Sequence, residues 1–199
     1  MMAKGPQTRE RILDTAFRLA ARDGLEGLSL SALAAEIGLS KSGLFAHFTS
    51  KEELQLEMLR VASERFVEEV MAPAFKQSRG LPRLRALFEG WRRWATDPSL
   101  PGGCIFVAAA AELDDRDGPV RAFVVSQQRE LLQAIARTAS ICVEEGHFRR
   151  DLDVDQLAFD VLAIYLAFHH THRLLRDPRA EKRLRSAYTR LVEDAAARQ

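Results

Sequence analysis

The chain of 199 residues contains only two cysteines, Cys104 and Cys142. Two thiols cannot build a disulfide framework, so the expected compartment is the reducing cytoplasm. Proline (7) and glycine (11) are sparse and cluster between periodic segments. There is no alternating β-branched run and no internal repeat. The opening MMAKGPQTRE lacks an apolar h-region, and no apolar run approaches the roughly 18 residues of a membrane span, so no membrane partner is expected. Charge of one sign is also missing: Lys+Arg 29 against Asp+Glu 28 leaves a formal net charge of +1. Bulk electrostatics therefore propose no polyanion. Residues 1–51 carry seven basic and five acidic side chains, which permits a nucleic-acid partner without requiring one. No P-loop, Gly-rich dinucleotide turn, HExxH or Ser elbow occurs, so neither an enzyme nor a bound cofactor is expected. At 47% hydrophobic and 29% charged, the composition is that of a folded globular chain.

What is present is Ala, Leu, Arg and Glu with an apolar period near 3.6, which predicts an all-α fold. A first helix is expected over about 8–23, with Ile12, Leu13, Ala16, Phe17 and Ala20 on one stripe and Gly24 as its C′ residue. Ser29 then caps a short helix that buries Leu30, Leu33, Ala34 and Ile37 and stops at Gly38. Ser40 caps a second short helix over 41–47. Ser50 and Glu53 form a capping box opening a long helix toward Pro73, which should end or kink it near 69–72. After Gly80-Leu81-Pro82 a helix runs to about Ala95, and a loop spans 97–103. Further helices are expected at about 104–113, 118–145, 154–176 and 179–197, with Asp153 and Gln156 capping the third of these and Gly146 and Asp177-Pro178 as breaks.

Two short helices about Gly38-Leu39-Ser40 make a helix-turn-helix pattern. Gly38 permits the sharp turn, and Ala34 and Ala35 keep the crossing tight. Leu39, Leu44 and Phe48 are expected to seat the second helix on a core of Phe17, Leu30 and Ile37. Its opposite face then stays free for the DNA major groove, which admits a helix. Here the sequence resembles the TetR family of transcriptional regulators. The resemblance is carried by Leu30-Ser31-Ala32-Leu33-Ala34-Ala35-Glu36-Ile37-Gly38-Leu39-Ser40-Lys41-Ser42-Gly43-Leu44-Phe45-Ala46-His47-Phe48, continued by Ser50-Lys51-Glu52-Glu53-Leu54 and preceded by the helix from Thr8 to Gly24. It is specific over about residues 8–56. Beyond that it covers helix number, length and order.

The resemblance implies a double-stranded DNA partner and a contact set. Ser29 matches a phosphate-contacting hydroxyl. Lys41, Ser42 and Gly43 match the head of the recognition helix, with Ser40 as its cap. His47 matches a phosphate contact. Lys51 adds charge at the N-terminus of the long helix, where N–H groups already favour phosphate. Two positions depart from the family: Phe45 stands where Tyr is usual, and Ala46 where a larger residue is usual. Both are positioned to touch a thymine methyl in place of the lost phenol contact.

The expected division is a helix-turn-helix domain over 1–50 and a helical effector-binding and dimerisation domain over 51–199. The helix 154–176 is apolar around its whole circumference, through Leu157, Phe159, Val161, Leu162, Ile164, Tyr165, Leu166 and Phe168. That predicts burial on all sides, one of them against a second copy. With the stripe of the last helix, the expected homodimer interface comprises Leu162, Tyr165, Leu184, Tyr188 and Leu191. A dimer spaces two recognition helices by about 34–36 Å, which calls for a near-palindromic operator. The resemblance further implies a pocket for a small hydrophobic or aromatic effector, placed at Met58, Phe66, Phe88, Trp91, Trp94, Phe106, Phe123, Phe168 and His169. For each of these residues taken singly, ordinary helical core is the competing reading. His169, His170 and His172 share no local Cys or carboxylate at ligand spacing, so no metal is expected. The leading expectation is a ligand-responsive dimeric DNA-binding repressor. The alternative is a helical protein-interaction module that keeps the fold without operator binding.

Overall fold

The computed structural model describes residues 4–100 and 102–197; Pro101, within the expected 97–103 loop, lies outside them. The described residues form α1 (Lys4–Gly27), α2 (Leu30–Ile37), α3 (Lys41–Phe45), α4 (Lys51–Phe66), a π-helical turn (Val67–Met71), α5 (Ala72–Phe75), α6 (Leu81–Ala95), α7 (Ile105–Leu113), α8 (Pro119–Glu144), α9 (Val154–Arg173) and α10 (Ala180–Ala195). The only β-type pairing among them is an isolated antiparallel bridge between Phe148 and Ala196. The fold is all-α, with an N-terminal helix-turn-helix.

The chain separates into two compact units that do not follow its order. One contains Met1–Val67 and Thr96–Gln127, the other Glu68–Ala95 and Gln128–Gln199. Packing therefore groups α7 and the start of α8 with the N-terminal helices, where the sequence suggested a division at residue 50.

In the first unit α1 packs on α2, α4 and α7, and α2 on α3. The expected stripe of α1 is buried, from Ile12 through Ala20, and it continues through Ala21 and Leu25. Short local caps set the helix starts. Ser29 Oγ accepts from Ala32 N, Ser40 Oγ from Gly43 N and Ser50 Oγ from Glu53 N. Gly38 takes φ 71°, and the amides of Gly38 and Leu39 close onto the carbonyls of Ala35 (3.2 Å) and Ala34 (2.9 Å). This is the Schellman arrangement, and its left-handed residue is the one an L side chain disfavours. The capping box at Ser50 is modified. The carboxylate of Glu53 passes the Ser50 amide and takes the amide and hydroxyl of Thr49, at 2.7 and 2.6 Å. Those bonds, the hydroxyl first, hold the Glu53 carboxyl below the usual carboxylate range.

The second unit begins within the π turn. Pro73 sits in the first turn of α5, directly after it. A proline inside a regular helix lacks the N–H for residue i−4 and clashes with that carbonyl. The five-residue π turn widens the helix just ahead of that position, so the backbone adapts where the sequence predicted an end or kink. Here α5 packs on α6 and α9 on α10. Phe88 of α6 stacks on Tyr188 of α10, and Trp91 of α6 stacks on Tyr165 of α9, each with centroids 3.6 Å apart. Asp153 caps α9 by accepting from the amides of Asp155 and Gln156, while the Gln156 side chain turns away to Asp160.

Candidate nucleic-acid interface

The recognition helix α3 is only five residues long, so its orientation depends on what it buries. Leu44 is its buried residue, and Phe48, three residues past its end, is buried as well. The core beneath differs in part from expectation. Phe17 is buried with Ile12, Leu28, Leu33 and Ala34, whereas Leu30, Ile37 and Leu39 are only half-buried. With Leu44 turned inward, Lys41, Ser42, Phe45 and Ala46 are exposed and Gly43 is half-buried. Phe45 keeps 40% of its surface in solvent, which is unusual for a phenylalanine and leaves its ring on the outer face. His47 lies beyond the helix end, half-buried, in the turn before Phe48.

The polar groups divide into those already occupied and those left open. Ser29 and Ser40 cap α2 and α3, and their hydroxyls also lie 3.0 Å from those of Ser31 and Ser42. A hydroxyl is both donor and acceptor, so each retains capacity for a further partner. Lys41 is exposed and forms no ion pair among the described residues. Lys51 differs: its Nζ donates to the carbonyl of Glu26 at 2.8 Å. It secures the N-terminus of α4 to the end of α1 and so is only partly available to phosphate.

The expected effector residues fall in both units. Met58 and Phe106 are buried in the first unit, where Phe66 and Phe123 are half-buried. Phe88, Trp91, Trp94 and Phe168 are buried in the second, where His169 is half-buried. Within the second unit the structure joins Trp91 to Phe168 through Tyr165, whose ring meets Phe168 edge-on at 6.3 Å, and Phe168 stacks on His172 at 5.1 Å. Phe88 belongs instead to the stack with Tyr188. The polar atoms of this unit buried without a partner include Trp91 Nε1 and His169 Nε2, together with Tyr188 Oη and Arg83 Nε. Burial, then the positive charge of Arg173 and of the neighbouring histidines, lowers His169 to about 4, so it is neutral near pH 7.

The expected interface residues differ in exposure within the chain. Tyr165, Leu184 and Tyr188 are buried inside the chain, with Tyr165 and Tyr188 held by the two ring stacks, and Leu162 and Leu191 are half-buried. The large apolar α9 residues that face outward are Phe159, 61% exposed, and Leu166, 41% exposed. They lie seven apart, two turns along one helical face. An all-round apolar helix announces two buried faces without saying which one its own chain covers; the ring stacks made the choice here. Among the described residues no helix is long and apolar enough to cross a membrane, and no group of His, Cys, Asp or Glu there is arranged to hold a metal ion.

Residues 12–58 match the family described as bacterial regulatory proteins, tetR family, and residues 80–188 match the tetracyclin repressor-like C-terminal domain. Over 50 residues the chain is 40% identical to the uncharacterized HTH-type transcriptional regulator YerO of Bacillus subtilis (strain 168), a match that takes in 25% of this chain and only 17% of YerO. It is 30% identical to a TetR transcriptional regulator from Chloroflexus aurantiacus J-10-FL, over 96% of each chain, with a TM-score of 0.85. It shares its fold, at 24% identity and a TM-score of 0.74, with AibR solved in complex with isovaleryl coenzyme A and operator DNA, over 89% of this chain and 94% of that one. A helix-turn-helix with an open α3 face, followed by a repressor-type C-terminal region matched over more than half the chain, carries one conclusion: the chain belongs to the TetR family of transcriptional regulators.

Proposed function

We propose that this protein acts as a homodimeric repressor that leaves a near-palindromic operator when a small hydrophobic or aromatic effector binds. The observation that carries the reading is the division of α3: Leu44 is locked inward, and Lys41, Ser42, Phe45 and Ala46 stand in solvent. Small residues at the helix head allow close approach to base edges. Lys41 supplies the charge for phosphate or guanine, and Phe45 and Ala46 supply apolar contact for a thymine methyl. Ser29, Ser40 and His47 add backbone contacts around it.

Dimerisation rests on Phe159 and Leu166, which a monomer would leave wetted. A second copy covers them and sets two α3 helices on successive major-groove faces. For the effector, the Trp91–Tyr165–Phe168 group supplies flat apolar surface, with Trp91 Nε1 and neutral His169 as the polar contacts. The effector must bind the two states of the protein with different affinity, a coupling of about 1–3 kcal/mol in such systems. AibR, with its acyl-CoA and operator, shows that one fold neighbour accommodates both kinds of partner.

Selection of bound duplexes from a random pool tests the reading, combined with sedimentation of the free protein. Enrichment of a two-fold-symmetric site by a dimer is the expected result. A monomer that enriches no sequence at low salt overturns it.

A further inference from the structure

Gly24 breaks α1 with φ 83° and ψ 166°, and residues 25–27 form one further turn before α2. A new turn leaves its first N–H groups without helical partners, and these are ordinarily taken by a nearby Ser, Thr, Asp or Asn. The starts of α2, α3, α4 and α9 follow that rule with Ser29, Ser40, Ser50 and Asp153. The turn at residues 25–27 does not. Its amides at Leu25 and Glu26 donate to the two carboxylate oxygens of Glu112 on α7, at 3.1 and 2.9 Å, from 87 and 86 residues away. Its carbonyls are taken from α4: Leu25 O accepts from the buried Gln55 Nε2 at 2.9 Å, and Glu26 O from Lys51 Nζ at 2.8 Å. Every one of these partners lies in the first compact unit.

A turn held by neighbours in sequence keeps its shape wherever its helix goes. A turn whose leading amides and carbonyls bond to α4 and α7 keeps it while those helices stay in place. The fit around Gly24 is tight: a Cβ there would fall 2.5 Å from Glu112 Oε1. A side chain at Gly102, just ahead of α7, would overlap the Ala21 carbonyl of α1. The start of α7 is thus pressed on α1 while its last turn grips the residues beyond the break. Those residues decide the direction in which the chain enters α2, and α2 carries α3.

The geometry points to Glu112 as a positioning residue for operator recognition: its carboxylate, bonded to the Leu25 and Glu26 amides, sets the pose of α2 and α3 from α7. This rests on the DNA-binding reading above. Truncation of that side chain frees two amides and lets the head rotate about Gly24. Non-specific affinity, which comes from phosphate charge, is little affected, whereas specific affinity depends on pose.

The test uses the full chain and a duplex selected by the wild type. Glu112→Gln, Glu112→Ala and Gly24→Ala disturb the contact from both sides, while Arg116→Ala removes only the neighbouring ion pair to the Glu26 side chain. Hydrogen exchange at the Leu25 and Glu26 amides reports the contact directly, and the ratio of specific to non-specific affinity reports pose. The expected result is fast exchange at both amides in Glu112→Ala and Gly24→Ala, fast exchange at one of them in Glu112→Gln, whose single amide oxygen accepts only one of the two bonds, and a loss of about tenfold or more in that ratio for Glu112→Ala and Gly24→Ala, with helical circular dichroism retained and Arg116→Ala near wild type. If the amides exchange freely in Glu112→Ala and the ratio is unchanged, the positioning role is wrong while the DNA-binding reading stands. If the wild type selects no duplex, both fail.

Discussion

The guanidinium of Arg9 lies over the ring of Phe48, 4.4 Å from its centroid, and the same side chain reaches Glu57 at 3.3 Å. One contact thus gathers α1, the segment after α3 and α4. Its cost is visible too, since Arg9 Nη1 is buried without a partner. Phe48 is the larger contributor because it is 2% exposed, so its truncation leaves a cavity as well as losing apolar burial. Phe48→Ala is expected to destabilise the protein by about 3–5 kcal/mol. Arg9→Lys keeps the charge but loses the flat stacking group, and about 0.5–2 kcal/mol is expected. Urea unfolding followed by circular dichroism measures both. A larger loss for the arginine variant would contradict this order.

Lys41 and Lys51 are both basic residues of the expected DNA contact set, and the structure separates them. Lys41 stands free on the α3 face, whereas Lys51 is bonded to the Glu26 carbonyl. Lys41→Ala should weaken binding and lower the slope of log affinity against log salt by about 1, the signature of one lost phosphate contact. Lys51→Ala should change that slope less while still reducing specific affinity, because it loosens the turn at residues 25–27. Filter-binding titrations across a salt series give both numbers. Equal slope changes would mean that Lys51 leaves its carbonyl and meets phosphate as Lys41 does.

What the sequence made legible is what local chemistry decides. Ser29, Ser40 and Asp153 cap where an isolated helix would need them, and Gly38 takes the left-handed turn, at φ 71°, that side chains with a Cβ disfavour. The open face of α3 was also legible, since one inward leucine in five residues leaves little freedom. Long-range pairing was not legible. Nothing near Glu112 signals that its carboxylate belongs to Leu25 and Glu26, and Gln55 reads as an ordinary helix-surface amide until it is found buried on the Leu25 carbonyl. The same limit explains the interface residues: Tyr165 and Tyr188 sit on stripes that suit either a partner or their own chain, and only Trp91 and Phe88 decide between them.

Neither cysteine is placed to sense oxidants. Cys142 has no exposed surface and burial pushes its thiol up to about 12, and Cys104 is 3% exposed. Thiolate is the reactive form, so both should be silent in the native state. With a chromogenic disulfide reagent at mildly alkaline pH, the native protein should release almost no chromophore, and two equivalents should appear on addition of denaturant. A thiol reacting fast in the folded protein would show that the packing around Cys104 or Cys142 opens far more readily than their burial implies, and Cys104→Ser tells which.

His169 should make folding stability depend on pH in a direction of its own. Burial comes first among the causes that bring it from the ordinary 6.5 to about 4, with the charges of Arg173, His172 and His170 adding to it, and its Nε2 has no partner to repay a proton. Below pH 6.5 the unfolded chain takes up a proton at this position and the folded chain does not. The unfolded state therefore gains, and the contribution of His169 to stability, complete above 6.5, is lost progressively down to about 4. His169→Asn has no group to titrate in this window. The wild type should lose more thermal stability than the variant between pH 6.5 and pH 4, with the two curves parallel above that window. The carboxylates titrate in both proteins and cancel in the difference. Curves that stay parallel throughout would mean that His169 accepts its proton in the folded state, and that water or a partner reaches the Nε2 the structure encloses.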